Sequence, residues 1–160
     1  MSSLLHLVLI GLFDGIVSTA VMTVTEVQSW KKWGLVGVFE WHENQMIITR
    51  LIHHSDNDRE KVHFIGIFSL HFLNGALAGM VFPFVVSVIT FFTVVTIPVT
   101  VLLGLVYGFV LWILTLVPIH KPITRFSPWN HPLGHMPALA SLSGHIIYGL
   151  VLSIVATLTL

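Results

Sequence analysis

Long apolar runs broken by short polar stretches set the plan of this chain. From Leu4 to Ser29 the only Asp, Glu, Lys or Arg residues are Asp14 and Glu26, and the run is long enough to cross ~30 Å of hydrocarbon, so 4–29 is predicted as a first transmembrane helix. A cleavable signal peptide is the competing reading. It fits badly, because no Lys or Arg precedes the run, Asp14 sits inside it and no A-x-A site follows. From Val62 to Ile119 there is no Asp, Glu, Lys or Arg. At ~1.5 Å rise per residue that stretch is too long for one crossing, which predicts helices at 63–88 and 97–118. The break falls near Thr90–Thr96, with Pro98 in the first turn of the second helix. Pro83 predicts a kink, and a fourth crossing is expected at 138–160.

The polar stretches carry their own patterns. Trp41, Ile47, Ile48, Leu51 and Ile52 recur at helical spacing, with Glu40, Glu43, Asn44 and Arg50 largely elsewhere. This predicts an amphipathic helix at 40–54 lying on the membrane surface, with His53-His54 and the charged stretch to Lys61 as its solvated exit. Trp30-Lys31-Lys32-Trp33 reads as an interfacial anchor. Residues 119–137, with Pro122, Pro128, Pro132 and Pro137 after Pro118, read as a proline-punctuated loop. The expected fold is therefore one domain over 1–160, an all-α integral membrane four-helix bundle with one interfacial helix.

Composition agrees with that pattern. Hydrophobic residues make up 55% of the chain and charged ones 9%, far below the ~25% charge of soluble domains. All seven Lys and Arg fall in the two loops. By the positive-inside rule those loops are expected in the cytoplasm and both termini outside, in a plasma (inner) membrane. Nothing forms a basic nucleic-acid surface. The absence of cysteine excludes disulfides and thiolate chemistry.

The two halves echo one another. Gly11-Leu12-Phe13-Asp14-Gly15 matches Gly104-Leu105-Val106-Tyr107-Gly108, and His71-x-x-Asn74-Gly75 matches His145-x-x-Tyr148-Gly149. Corresponding helices run in the same direction, so a duplication would be a direct 2+2 repeat. The alternative is coincidence, because glycine-rich apolar segments produce five-residue matches readily. Either way, Asp14, His71, Asn74, Tyr107, His145 and Tyr148 form an expected polar band near mid-bilayer. Gly11, Gly15, Gly75, Gly79, Gly104, Gly108 and Gly149 share faces with it at small-xxx-small spacing, which suits close helix packing in lipid.

Asp14 is the candidate of most interest, because a carboxylate at that depth costs several kcal/mol unless protonated, hydrogen-bonded or hydrated. One reading bonds it to Tyr107 or Tyr148 as interhelical glue, a second gives it a proton, ion or substrate role, and a third a subunit contact. Glu26 reads as an interfacial carboxylate, or as one member of a cluster with His71 and His145 that offers metal ligands. His131 and His135 have i, i+4 spacing, but Pro132, Gly134 and Pro137 oppose the helix that would align them. No phosphate loop, nucleophile elbow or zinc helix is present, so neither a cofactor nor an enzyme is expected.

The run Gly15-Ile16-Val17-Ser18-Thr19-Ala20-Val21-Met22-Thr23, the amphipathic segment, Gly66…His71-x-x-x-Gly75-x-x-x-Gly79 and the closing His145-x-x-Tyr148-Gly149 resemble the YagU-like group of small four-helix inner-membrane proteins of unknown function. The resemblance implies a fold and a location, and no activity. The histidine- and proline-rich loop 119–137 departs from it. Two functional expectations follow. The first is a non-catalytic accessory subunit of a larger membrane complex, for example a membrane oxidase or an archaeal ammonia monooxygenase-type complex, with lipid and other membrane subunits as partners. The second is a small transporter or channel built on the polar band around Asp14, with an intramembrane metal-binding role behind both.

Overall fold

The computed structural model describes residues 4–53, 61–92 and 96–159. Its helices are α1 (Leu4–Trp33), α2 (Phe39–His53), α3 (Phe64–Phe92), α4 (Ile97–Thr115), α5 (Lys121–Thr124) and α6 (Met136–Thr159). Among the described residues four helices are long and apolar enough to cross a membrane: α1, α3, the run from α4 to α5, and α6. Their outward side chains, such as Phe13, Val88, Leu102 and Leu158, are exposed and apolar, as a lipid-facing surface requires.

The bundle is held by two antiparallel hairpins, α1 on α3 and α4 on α6, joined where α1 packs on α6; α3 and α4 barely meet. Glycines set both close contacts. A Cβ on Gly15 would run into the Gly75 carbonyl and lie 3.0 Å from the Cα atoms of Ala76 and Gly79, while one on Gly149 would run into the Gly104 carbonyl. Both halves therefore use the same device, with the register differing by one helical turn. Gly15 opposes Gly75 in the first half, whereas Gly108 opposes His145 and Gly104 opposes Gly149 in the second.

α3 continues through the buried Pro83. Proline has no N–H to offer the carbonyl four residues earlier, which here is that of Gly79. That carbonyl lies against α1, 2.8 Å from where a Gly11 Cβ would stand.

Two sequence expectations are corrected. The chain does not enter a loop at residue 119: after α4 it widens into a π-helical turn, Leu116–His120, and runs on through α5. Pro118 lacks the N–H that an α-turn would use, and the wider turn absorbs that loss. The helix stops at Arg125, which adopts a left-handed φ of 65° and donates its N–H to Lys121 O.

The second correction concerns α2. It forms where expected, yet no residue from Phe39 to Arg50 is exposed, so it does not lie on a surface with one face outward. Gly34, at φ 70°, caps α1 through its N–H to Trp30 O and turns the chain back. Trp41 and Ile48 then pack with Trp30, Ile67 and Phe68, with Trp41 edge-on to Phe68 at 4.9 Å. Helical periodicity specifies two faces but not what covers each of them. Here protein covers both. The exit stretch from His54 to Glu60 lies outside the described residues, as does the His53 side chain.

Candidate functional site: a carboxylate–imidazole chamber

Burying α2 carries its acidic residues into the loop-side end of the bundle. There they meet histidines from two other segments, beside a third carboxylate–histidine pair between α1 and α3. Glu43 Oε1 lies 2.8 Å from His120 Nδ1, Glu40 Oε1 lies 3.4 Å from His145 Nδ1, and Glu26 Oε2 of α1 lies 3.1 Å from His71 Nε2. Further donors secure the carboxylates: Trp41 Nε1 donates to Glu26 Oε2 at 2.8 Å, and Ser141 Oγ donates to Glu40 Oε1.

The network assigns the proton on two of the rings. Thr23 Oγ1 sits 3.1 Å from His71 Nε2, but its own hydrogen goes to Thr19 O. His71 Nε2 is therefore the donor to both neighbours. His145 Nδ1 faces only acceptors, Ser141 O at 3.0 Å and Glu40 Oε1, so it too carries hydrogen. Each ring is thus oriented by its carboxylate.

Between the pairs lies a cavity of about 110 Å³, walled by Glu40, Glu43, Asn44, His71, Asn74 and His145 and floored by Met22, Ala78, Leu111 and Tyr148. Asn44 donates to Ile67 O at 3.2 Å and accepts from Asn74 at 3.5 Å, which fixes both amides. No Lys or Arg lines the cavity. Glu26 Oε1 and Glu40 Oε2 are buried without a hydrogen-bond partner, each at a cost of about 1–3 kcal/mol. Burial raises the pKa of Glu43 well above its ordinary 4.5, with Glu40 adding to the rise. Glu40 is raised by burial and then by Glu26, against the opposing pull of His145 and Ser141.

The expected polar band divides. His71, Asn74 and His145 line the chamber. Tyr148, which also floors the chamber, and Tyr107, which does not line it, donate to backbone carbonyls of α3, Gly75 O at 2.7 Å and Ala78 O at 2.6 Å, ties worth about 0.6–1.5 kcal/mol each. Neither hydroxyl goes to Asp14. Asp14 is fully buried at the last turn of α6, where Oδ2 accepts from Thr159 Oγ1 at 3.0 Å. Twelve residues of α1 separate it from Glu26, about 18 Å of helix, and the apolar layer of Met22, Phe82, Leu152 and Ala156 packs in this region.

Glu26, His71 and His145 do not converge as one ligand set, because Glu26 pairs with His71 while His145 pairs with Glu40. Among the described residues no group of three His, Asp or Glu side chains is arranged to hold a metal ion. His131 is buried and His135 exposed, so their i, i+4 spacing does not form a site.

Sequence reasoning assigned Glu40 and Glu43 to a solvated face and His120 to a loop. Their i, i+3 spacing and the ring five residues past Thr115 gave no sign that they meet. The available signal was the improbability of leaving two carboxylates, an asparagine and a glutamine on so short a helix between membrane crossings without a polar partner. No family model, curated protein or solved structure matches the chain.

Proposed function

We propose that this protein is a small membrane carrier that exchanges a small cation for protons at the carboxylate–imidazole chamber. The single observation that supports it is a half-open cavity of about 110 Å³ walled by two carboxylates with elevated pKa and two imidazoles, with no Lys or Arg in its lining. Such a cavity has room for several waters or one small, partly dehydrated cation. A cation needs the carboxylates ionised and burial favours them protonated, so cation entry expels protons and proton entry expels the cation. Ionisable groups enclosed by membrane-spanning helices are costly to keep and are commonly tied to ion or proton pathways. Positive-inside reasoning on the seven loop-side Lys and Arg turns the chamber toward the cytoplasm.

Reconstituted vesicles test this reading. An imposed pH gradient is expected to drive Na⁺, K⁺ or methylammonium across vesicles holding the wild-type protein. Glu40→Gln and Glu43→Gln are expected to cut that flux about tenfold or more, the effect of ~1.4 kcal/mol. Asp14→Asn, remote from the chamber, is expected to stay within about twofold. If no cation moves above the rate of protein-free vesicles, the carrier reading fails.

A second reading, the accessory subunit, draws on the side of the bundle where α3 and α4 barely meet. Exposed Leu77, Val81, Val106 and Val110 on these two helices offer a surface for a partner helix. Purification in mild detergent is expected to retain that partner, and recovery of free monomer alone would count against it.

A further inference from the structure

Behind the chamber wall, two buried imidazoles each present an unpartnered nitrogen. His120 is 0% exposed, its Nδ1 lies 2.8 Å from Glu43 Oε1, and its Nε2 has no hydrogen-bond partner. His131 is 5% exposed, and its Nδ1 accepts the Leu133 N–H at 3.2 Å, leaving Nε2 without a partner. The two rings are brought together by one phenyl ring. His120 stacks on Phe39 at 3.9 Å between centroids, and His131 leans on the same ring at 5.4 Å. Residues 129–130 and 132–136 around His131 are exposed, so His131 lies one layer below the loop surface.

The two unsatisfied atoms are complementary. Burial holds His131 below the usual imidazole range, so its ring is neutral. With Nδ1 accepting, its one hydrogen is on Nε2, which is therefore a donor. When Glu43 is ionised, His120 donates its Nδ1–H to it, and Nε2 is then an acceptor. A metal ion would need a lone pair from both rings, and His131 does not offer one. One water molecule within reach of both atoms would satisfy them, accepting from His131 and donating to His120.

We propose that an ordered water bridges His131 Nε2 and His120 Nε2, and that this water and His120 deliver protons from the loop side to Glu43. The route deepens the exchange reading and rests on it only for what the proton is exchanged against. As the water passes a hydrogen to His120 Nε2, the Nδ1–H bond breaks and that proton forms the O–H bond on Glu43 Oε1. The carboxylate becomes a carboxylic acid, the imidazole stays neutral with its hydrogen moved from Nδ1 to Nε2, and solvent replaces the hydrogen lost by the water. The reverse steps discharge Glu43. His131 is a positioning residue, since it holds the water and transfers nothing itself. The titratable groups facing His120 are Glu40, His42 and Glu43 from α2 and His131 from the loop. Phe39 and Phe126 wall the route with apolar surface.

Infrared spectroscopy of the full chain in detergent tests the route without needing any flux. The carboxylic-acid C=O band of Glu43 is identified by its loss in Glu43→Gln, and its rate of hydrogen-to-deuterium exchange is followed after transfer to D₂O. His120→Phe keeps the ring stacked on Phe39 and removes both nitrogens, and is expected to slow exchange about tenfold or more. His131→Phe is expected to slow it as well, with His131→Gln, which restores an N–H donor, recovering part of the rate. Wild-type exchange rates in His120→Phe would overturn the relay, and wild-type rates in His131→Phe would overturn the bridging water. Absence of a Glu43 acid band in the wild type would overturn both. Should His120→Phe fail to fold, the His131 pair at the rim carries the test alone. Wild-type vesicles that move no cation, alongside exchange rates in the expected order, would remove the carrier reading and leave the relay standing.

Discussion

Gly79→Ala is expected to lower the stability of the bundle by about 1–3 kcal/mol, and Gly79→Val by more, in denaturant or thermal unfolding in detergent. The reason is the kind of atom in the way. A Cβ at Gly79 would strike the Cα and N of Gly15 and the carbonyl of Gly11. All three are backbone, so relief requires α1 and α3 to move apart along their whole contact. Gly75 is the useful comparison, because the atom met first there is the Thr19 hydroxyl, at the end of a side chain. Gly75→Ala is therefore expected to be partly rescued by Thr19→Ala, while no side-chain change on α1 rescues Gly79→Ala. Equal destabilisation at Gly79 and at a lipid-facing position such as Leu102 would remove the close-packing account of this hairpin.

The second large effect is a stability that declines as pH rises. Glu40 and Glu43 both have folded-state pKa values above their ordinary 4.5, chiefly through burial. At a pH below 4.5 each group is protonated in the folded and the unfolded chain, and its contribution is fully present. Above 4.5 the unfolded chain releases the proton while the folded chain keeps it. The folded state then binds more protons than the unfolded one, and stability falls with pH until the folded pKa is passed. The limiting slope is about 1.4 kcal/mol per pH unit for each group. The melting temperature in detergent is expected to drop as the pH rises above 4.5, and Glu43→Gln, which stays neutral throughout, is expected to flatten the decline. A melting temperature that climbs over the same interval would mean that α2 docks with its carboxylates ionised, and the proton-release step in the chamber would lose its basis. Because α2 closes the chamber, the same titration couples the docking of this helix to the occupancy of the site.

These two expectations rest on different levels of the molecule. The glycine spacing is local, periodic and visible in the chain, and so is the helix that carries Glu40 and Glu43. The pairing of Glu43 with His120 spans 77 positions in the sequence, and that of Ser141 with Glu40 spans 101. No periodicity encodes either. The same holds for Asp14, whose partner Thr159 lies 145 residues away, whereas depth counting along single helices had placed it level with two tyrosines. Counting residues assumes that helices start at a common plane and run in parallel. Here α1 is 30 residues long and α6 is 24, and the last turn of α6 meets α1 at Asp14.

By itself the sequence determined the solvent that each segment requires. Runs free of Asp, Glu, Lys and Arg cannot be stable unless their backbone groups bond internally, which makes them helices and fixes their number and approximate bounds. Glycine spacing then marked the faces that come closest. Tertiary structure alone decided where the polar residues between those runs go. Amphipathicity states that Glu40 and Glu43 need a polar neighbourhood, but water at a membrane surface and imidazoles inside a bundle both satisfy that need. The choice was made by α4 running past Pro118 to bring up His120, and by α6 offering Ser141 and His145.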